Sequence, residues 1–180
     1  MPRFLVLLAL ALCSTSCIVE APTSEGIKST GARPAPAPPV EVKSGANFGD
    51  KVELTNVLIN PSRITAGESL RVSLNFKVLQ AMDRDYMIFV HVEDVEGRTD
   101  RLNVDHAPRA KPTSQWQLGE SVRDDFEVPV PPGMPVRGLN LILGFWDPRS
   151  DERLHIKNPE QVRNDGKDRL FVASIPVAQP

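Results

Sequence analysis

Nine consecutive residues, Leu70-Arg71-Val72-Ser73-Leu74-Asn75-Phe76-Lys77-Val78, alternate strictly between apolar and polar. A period of two places the apolar side chains on one face and the polar ones on the other, which describes a half-buried β-strand and excludes a helix. The pattern recurs. Val52-Glu53-Leu54 opens a strand running to about Ile59 and closed by Asn60-Pro61-Ser62. Val122, Phe126, Val128 and Val130 share one face; Leu139, Leu141, Leu143 and Phe145 share another, with Ile142 and Trp146 opposite. Tyr86 to Val92 is apolar at nearly every position, as in a central strand covered on both faces. Leu154-His155-Ile156 and Leu170 to Val177 complete the set. Turn chemistry separates them at Ala66-Gly67-Glu68, Glu96-Gly97, Pro131-Pro132-Gly133, Asp147-Pro148 and Asp165-Gly166. No segment carries a convincing 3.6-residue period. The expected architecture is all-β, an antiparallel immunoglobulin-like sandwich of about seven to nine strands. Unequal strands, with Pro129 and Pro176 suited to edges, disfavour an up-and-down barrel.

The rest of the chain reads differently. Arg3 is followed by nine apolar residues, Phe4 to Leu12, the size of a secretory h-region and too short to span a bilayer. Small residues Ser14 to Ser16 then precede Cys17. This arrangement resembles the lipobox of bacterial lipoproteins, with Ser14 standing where that family prefers Leu. The resemblance implies that Cys17 becomes the lipidated first residue of the mature chain, and that Ile18 after it directs the protein to the outer membrane. The alternative is an ordinary signal-peptidase cut at the same place and a soluble secreted protein. Both cysteines, Cys13 and Cys17, lie in this region, so the domain beyond has no disulfide. Residues 18–47 hold Pro22, Pro34, Pro36, Pro38 and Pro39 among small residues, too little apolar surface to offset chain entropy. The expected boundaries are a signal peptide over 1–16, a lipidated cysteine and disordered tether over 17–47, and the β-sandwich over 48–180.

Composition narrows the function classes. The chain has 180 residues, 21 Lys+Arg against 23 Asp+Glu and a net charge of −2, which argues against a nucleic-acid partner. No apolar run reaches the roughly 18 residues of a membrane span. Residues 52–98, with Ile64-Thr65-Ala66-Gly67-Glu68 and Phe89-Val90-His91-Val92-Glu93-Asp94-Val95-Glu96-Gly97, resemble the immunoglobulin-like sandwich that ends the ATPase subunit of some O-antigen ABC exporters. Residues 89–157 also resemble an uncharacterised extracytoplasmic β-domain of bacterial lipoproteins. That pattern is Asp105-His106-x-Pro108, Pro112-Thr113-x-x-Trp116, Gly119-Glu120, Asp124 or Asp125, Gly144-Phe145-Trp146-Asp147 and Arg153-Leu154. These resemblances imply a sandwich fold and, from the exporter domain, polysaccharide binding; they assign no sugar-contacting residue.

No nucleophile–base motif or paired-carboxylate signature marks an enzyme, so none is expected, and no cofactor. His91, His106 and His155 stand apart without ligand spacing, so no metal is expected. The acidic loops Glu93–Asp100 and Asn164–Asp168 lack calcium-loop spacing and read as hairpin turns. The most informative stretch is Asp105 to Trp116. As a binding loop, Trp116 would stack on a sugar ring while Asp105, His106 and Arg109 bond its hydroxyls. As structure, which is favoured, Trp116 tucks the loop onto the sandwich. Trp146 and His91 are read as sheet-face or core residues. The expected function is non-enzymatic binding at the cell envelope, to a polysaccharide or, alternatively, to a protein complex. A polysaccharide binder should show at least one of Trp116, Trp146 or Tyr86 exposed in a groove beside Asp, His or Arg; a structural or assembly lipoprotein should bury those aromatics and dock a protein through a strand edge or a loop patch.

Overall fold

The alternating segments form two packed sheets in a computed structural model that describes residues 35–178. The signal segment, Cys17 and the tether as far as residue 34 lie outside the described residues. In chain order the strands are β1 (Val40–Phe48), β2 (Val52–Asn60), β3 (Ile64–Thr65), β4 (Ser69–Val78), β5 (Met87–Asp94), β6 (Leu102–Asn103), β7 (Ser121–Pro129), β8 (Gly138–Asp147), β9 (Glu152–Arg153) and β10 (Leu170–Ala178). One sheet runs β1-β2-β4-β7; the other runs β3-β10-β8-β5-β6, with β9 on β8. The protein is an all-β sandwich. Its ten strands exceed the expected number because β3, β6 and β9 are two-residue pairings, too short to show a period. Leu154–Ile156 is not a strand: Ile156 makes a single bridge to Phe48, and the pairing falls one step earlier at β9. All pairings are antiparallel except that of β3 with β10.

The core forms where the inner faces meet. Phe145 on β8 lies 5.4 Å from Phe48 and 5.3 Å from Phe76, ring centre to ring centre, and Trp116 stacks at 5.6 Å on Phe76. Such aromatic pairs add to the burial of large apolar surface. Pro129 costs no ladder bond. The amides of Val78 and Val130 donate across to Glu120 and Glu68, so even-numbered residues of β7 carry the ladder and Pro129 falls on the outward side of an edge. Pro176 is similar, since β3 borders β10 only at Val177 and Ala178.

Residues 40–47, expected in the tether, belong to the domain as strand β1. β1 pairs with β2 from Val40 opposite Ile59 to Phe48 opposite Val52, and Phe48 is fully buried. The amide of Ser62 also donates to the Pro38 carbonyl. A bulge between Lys43 and Ala46, with Gly45 at φ 76°, breaks the alternation that would have marked this strand.

The two sheets differ in their outer faces. Arg71, Lys77, Arg123, Asp125 and Glu127 stand exposed on the four-stranded sheet. The outer face of the six-stranded sheet is roofed by the segment between β9 and β10. The Arg153 guanidinium lies 5.0 Å over the Phe89 ring, and Arg169 pairs with Glu93 at 2.9 Å. The roof is tight at Gly144, where a Cβ would come within 2.5 Å of the Phe89 ring and 2.9 Å of the Asp168 carbonyl oxygen. β5 and β8 are therefore buried on both faces, as the sequence of β5 predicted.

The chain from Ala35 onward carries both sheets and all of this core, so residues 35–180 should unfold cooperatively on heating. Deleting through Phe48 bares the edge of β2 and removes a side chain whose loss alone costs about 3–5 kcal/mol. Circular-dichroism melting of residues 49–180 should show a transition greatly lowered or absent; an unchanged melt would mean that β1 adds nothing.

Candidate functional site

The Asp105–Trp116 loop leaves the outer strand of the six-stranded sheet and leads to β7, the outer strand of the other. Its first residues extend the pairing of β6, with His106 bridging Ile88. At Val90 two side chains replace half of the ladder. Asp105 Oδ1 accepts the Val90 N–H at 2.8 Å, and the Val104 carbonyl faces His106 Nδ1 at 2.7 Å. His106 Nε2 meets Asp124 Oδ2 at 2.7 Å, and the other Asp124 oxygen accepts the Arg109 N–H at 2.7 Å. Asp124 lies on the apolar face of β7, between Val122 and Phe126, and is 1% exposed. The imidazole also packs on Phe126, ring centres 4.9 Å apart. His106 and Asp124 thus join the free edges of the two sheets.

Both partners of His106 are acceptors, so this arrangement is fully satisfied only in the protonated imidazole, with hydrogen on both ring nitrogens. Burial pulls its pKa down. The hydrogen bond to Asp124, the Val104 carbonyl and the Asp124 charge outweigh that and, against the opposing charge of Arg109, hold it above the ordinary histidine value.

The remainder of the loop is anchored as firmly. Thr113, fully buried, donates to the Arg84 carbonyl at 2.9 Å and accepts the Tyr86 N–H at 2.8 Å. Trp116 Nε1 donates to the Lys111 carbonyl at 3.1 Å, and its ring is 1% exposed. Trp116 therefore offers no exposed ring to a sugar and tucks the loop onto the sandwich, the structural reading favoured from the sequence. Both ring nitrogens of His106 and one carboxylate oxygen of Asp105 are bonded within the fold, while Asp105 itself stays exposed. Of the four residues singled out in this loop, Arg109 lines a groove.

That groove, about 580 Å³, lies on the open face of the four-stranded sheet. Arg71, Arg123, Asp125 and Glu127 project into it with Asn60, Ser73 and Leu58, and Arg109 walls it beyond the edge of β7. Arg71 pairs with Glu127 at 3.0 Å; Arg123 pairs with Asp125 at 2.9 Å and donates to Ser73 Oγ at 3.0 Å. A second groove shares Arg123 and continues along the sheet past Asn75, Thr55 and Lys77. The polar positions of β2, β4 and β7 were visible in the alternation. What sequence reasoning missed was that they form a sheet face left uncovered among the described residues, and that Asp124 is buried. The signal for Asp124 was present as a carboxylate in an otherwise apolar register.

The other candidates resolve structurally. His91 is buried, which pushes its pKa below the ordinary value, with Arg101 acting the same way. Tyr86, 7% exposed, borders a separate polar groove beside Arg84, Asp147 and His155. Trp146 is half-buried with an indole N–H that meets no acceptor among the described residues. In the acidic loops, the Asp94 carboxylate accepts the amides of Glu96 and Arg98, and the Asp165 carboxylate those of Lys167 and Arg169. These oxygens stabilise turns.

Because folded His106 holds its proton more tightly than the unfolded chain, its contribution is complete below about pH 6.5. It is lost as pH rises through the raised folded value. His91, shifted the other way, acts below that window. The melting temperature of wild type should fall as pH rises from about 6.5, and His106→Ala should flatten that dependence while costing about 3 kcal/mol at pH 6. A slope unchanged in the variant would remove His106 from the clasp.

No family model matches the chain, and no curated protein matches it either.

Proposed function

We propose that this is a non-enzymatic, lipid-anchored envelope protein whose sandwich holds an envelope polysaccharide on the open face of the four-stranded sheet. The observation that carries this reading is the groove lined by Arg71, Arg109, Arg123, Asn60, Ser73, Asp125 and Glu127. Guanidinium, carboxylate and amide groups are planar and bidentate, and they match the paired hydroxyls of a sugar ring. The ion pairs Arg71–Glu127 and Arg123–Asp125 hold these planes in place. Exposed pairs of this kind add only about 0–1 kcal/mol each to stability, so folding does not demand them. Leu58 supplies an apolar patch for the C–H face of a ring. The continuation of the groove along the sheet suits a linear polymer. Anchoring follows from the Phe4–Leu12 segment and Cys17, with the intervening residues as spacer to the membrane.

Two observations favour the second reading, a protein partner. Trp116 and Tyr86 are buried, as expected of a lipoprotein that docks a protein. A groove between Arg101–Val104 and the Pro129–Pro132 turn is mainly apolar, and it lies along the open edge of β6.

Calorimetric titration of residues 35–180 against polysaccharide extracted from the native envelope tests the proposal. Wild type should give saturable heat, and Arg123→Ala with Arg71→Ala should weaken binding about tenfold or more without lowering the melting temperature. Heat unchanged in the double variant would move the polysaccharide off this face. Absence of heat with wild type, together with a crosslinked protein partner in cells lost on substitution along Arg101–Val104, would favour the second reading.

A further inference from the structure

We infer that the groove selects a polysaccharide carrying an anionic substituent, a carboxylate or a phosphate, and that Arg109 is the residue that selects it; this rests on the polysaccharide reading above. Three guanidinium groups line the groove against two carboxylates. Arg71 and Arg123 have those carboxylates at 3.0 and 2.9 Å. The Arg109 side chain, exposed at the wall, has no partner among the described residues. Among the described residues the groove therefore holds one positive charge in excess, available to a ligand. A bare guanidinium offers two parallel N–H donors to a carboxylate or phosphate, a charge-assisted pair that a neutral hydroxyl cannot equal.

What distinguishes Arg109 from any exposed arginine is how its backbone is held. Its N–H donates to Asp124 Oδ1 at 2.7 Å. Asp124 is itself buried and fixed through its second oxygen by His106. Pro108 immediately before is buried and restricts the chain further. The guanidinium thus springs from a rigid point at the rim, so less backbone freedom is lost when an anion binds.

The test uses residues 35–180, wild type and Arg109→Gln, titrated calorimetrically with native envelope polysaccharide in three forms. These are untreated, carboxyl-reduced to the alcohol, and dephosphorylated. Arg109→Gln keeps the backbone N–H and changes only an exposed side chain, so it should melt like wild type. Wild type should bind the untreated polymer about tenfold or more tightly than one of the treated forms. Which treatment weakens binding identifies the anion. In Arg109→Gln that preference should shrink to within about twofold. Equal binding of all three forms by wild type overturns the charge selection and leaves the polysaccharide reading intact. A preference fully retained in Arg109→Gln overturns the role of Arg109. No binding of any form overturns the polysaccharide reading, and this inference with it.

Discussion

One buried carboxylate governs how the sandwich is closed. Asp124 points inward from an edge strand, a position that costs free energy unless the charge is fully paired. His106 and the Arg109 amide supply that pairing at 2.7 Å each. The consequences run in both directions along the chain. Toward β5, Asp105 and His106 take the Val90 N–H and the Val104 carbonyl while the Val104 N–H still donates to Val90, so the loop is joined to the six-stranded sheet by side chains as well as by backbone. Toward the surface, Asp124 fixes the point from which Arg109 reaches the groove. An inward charge on an edge strand also discourages the edge from pairing with another chain.

A second constraint is the asymmetry of the two sheets. Each sheet buries its inner face in the common core, but among the described residues only the six-stranded sheet receives a roof. Gly144 permits that roof, because the ring of Phe89 and the carbonyl of Asp168 occupy the space a side chain would need. The four-stranded sheet is left with a wet face of alternating polar residues. That face combines rigid backbone, oriented planar side chains and access to solvent, the combination a binding surface needs. Built on strands, its geometry is more fixed than a loop site would be.

Much of this fold was legible in the sequence, for a physical reason. Where a strand buries one face, as from Leu70 to Val78, alternation states both its type and its orientation. Where it buries two, as from Ile88 to Val92, the apolar run reports burial on both faces but not which face meets which layer. β1 was hidden because a bulge at Gly45 shifts the period midway and a proline-rich stretch precedes it. β3, β6 and β9 were hidden because two residues cannot display a period. The loop was harder still. Trp116 and Thr113 are buried by contacts to Phe76, Arg84 and Tyr86, residues distant in sequence, and no local pattern reports such contacts. Asp124 could have been found, since a carboxylate on the apolar face of β7 has to meet a partner. The groove could not, because it depends on which sheet is roofed.

Taken together, these features separate structure from candidate function. Asp105, His106 and Trp116 build the scaffold, and Arg71, Arg123 and Arg109 stand on it facing solvent. On the proposed function, ligand contact falls on the outer face of β4 and β7 and away from the polar groove beside Tyr86. Nitrogen–proton correlation NMR of residues 35–180, titrated with native envelope polysaccharide, tests this most directly. The account predicts shifts concentrated at the amides of Arg71, Ser73, Arg109, Arg123 and Asp125. Shifts concentrated at Arg84, Tyr86 and Glu152–His155, or along Arg101–Val104, would contradict it.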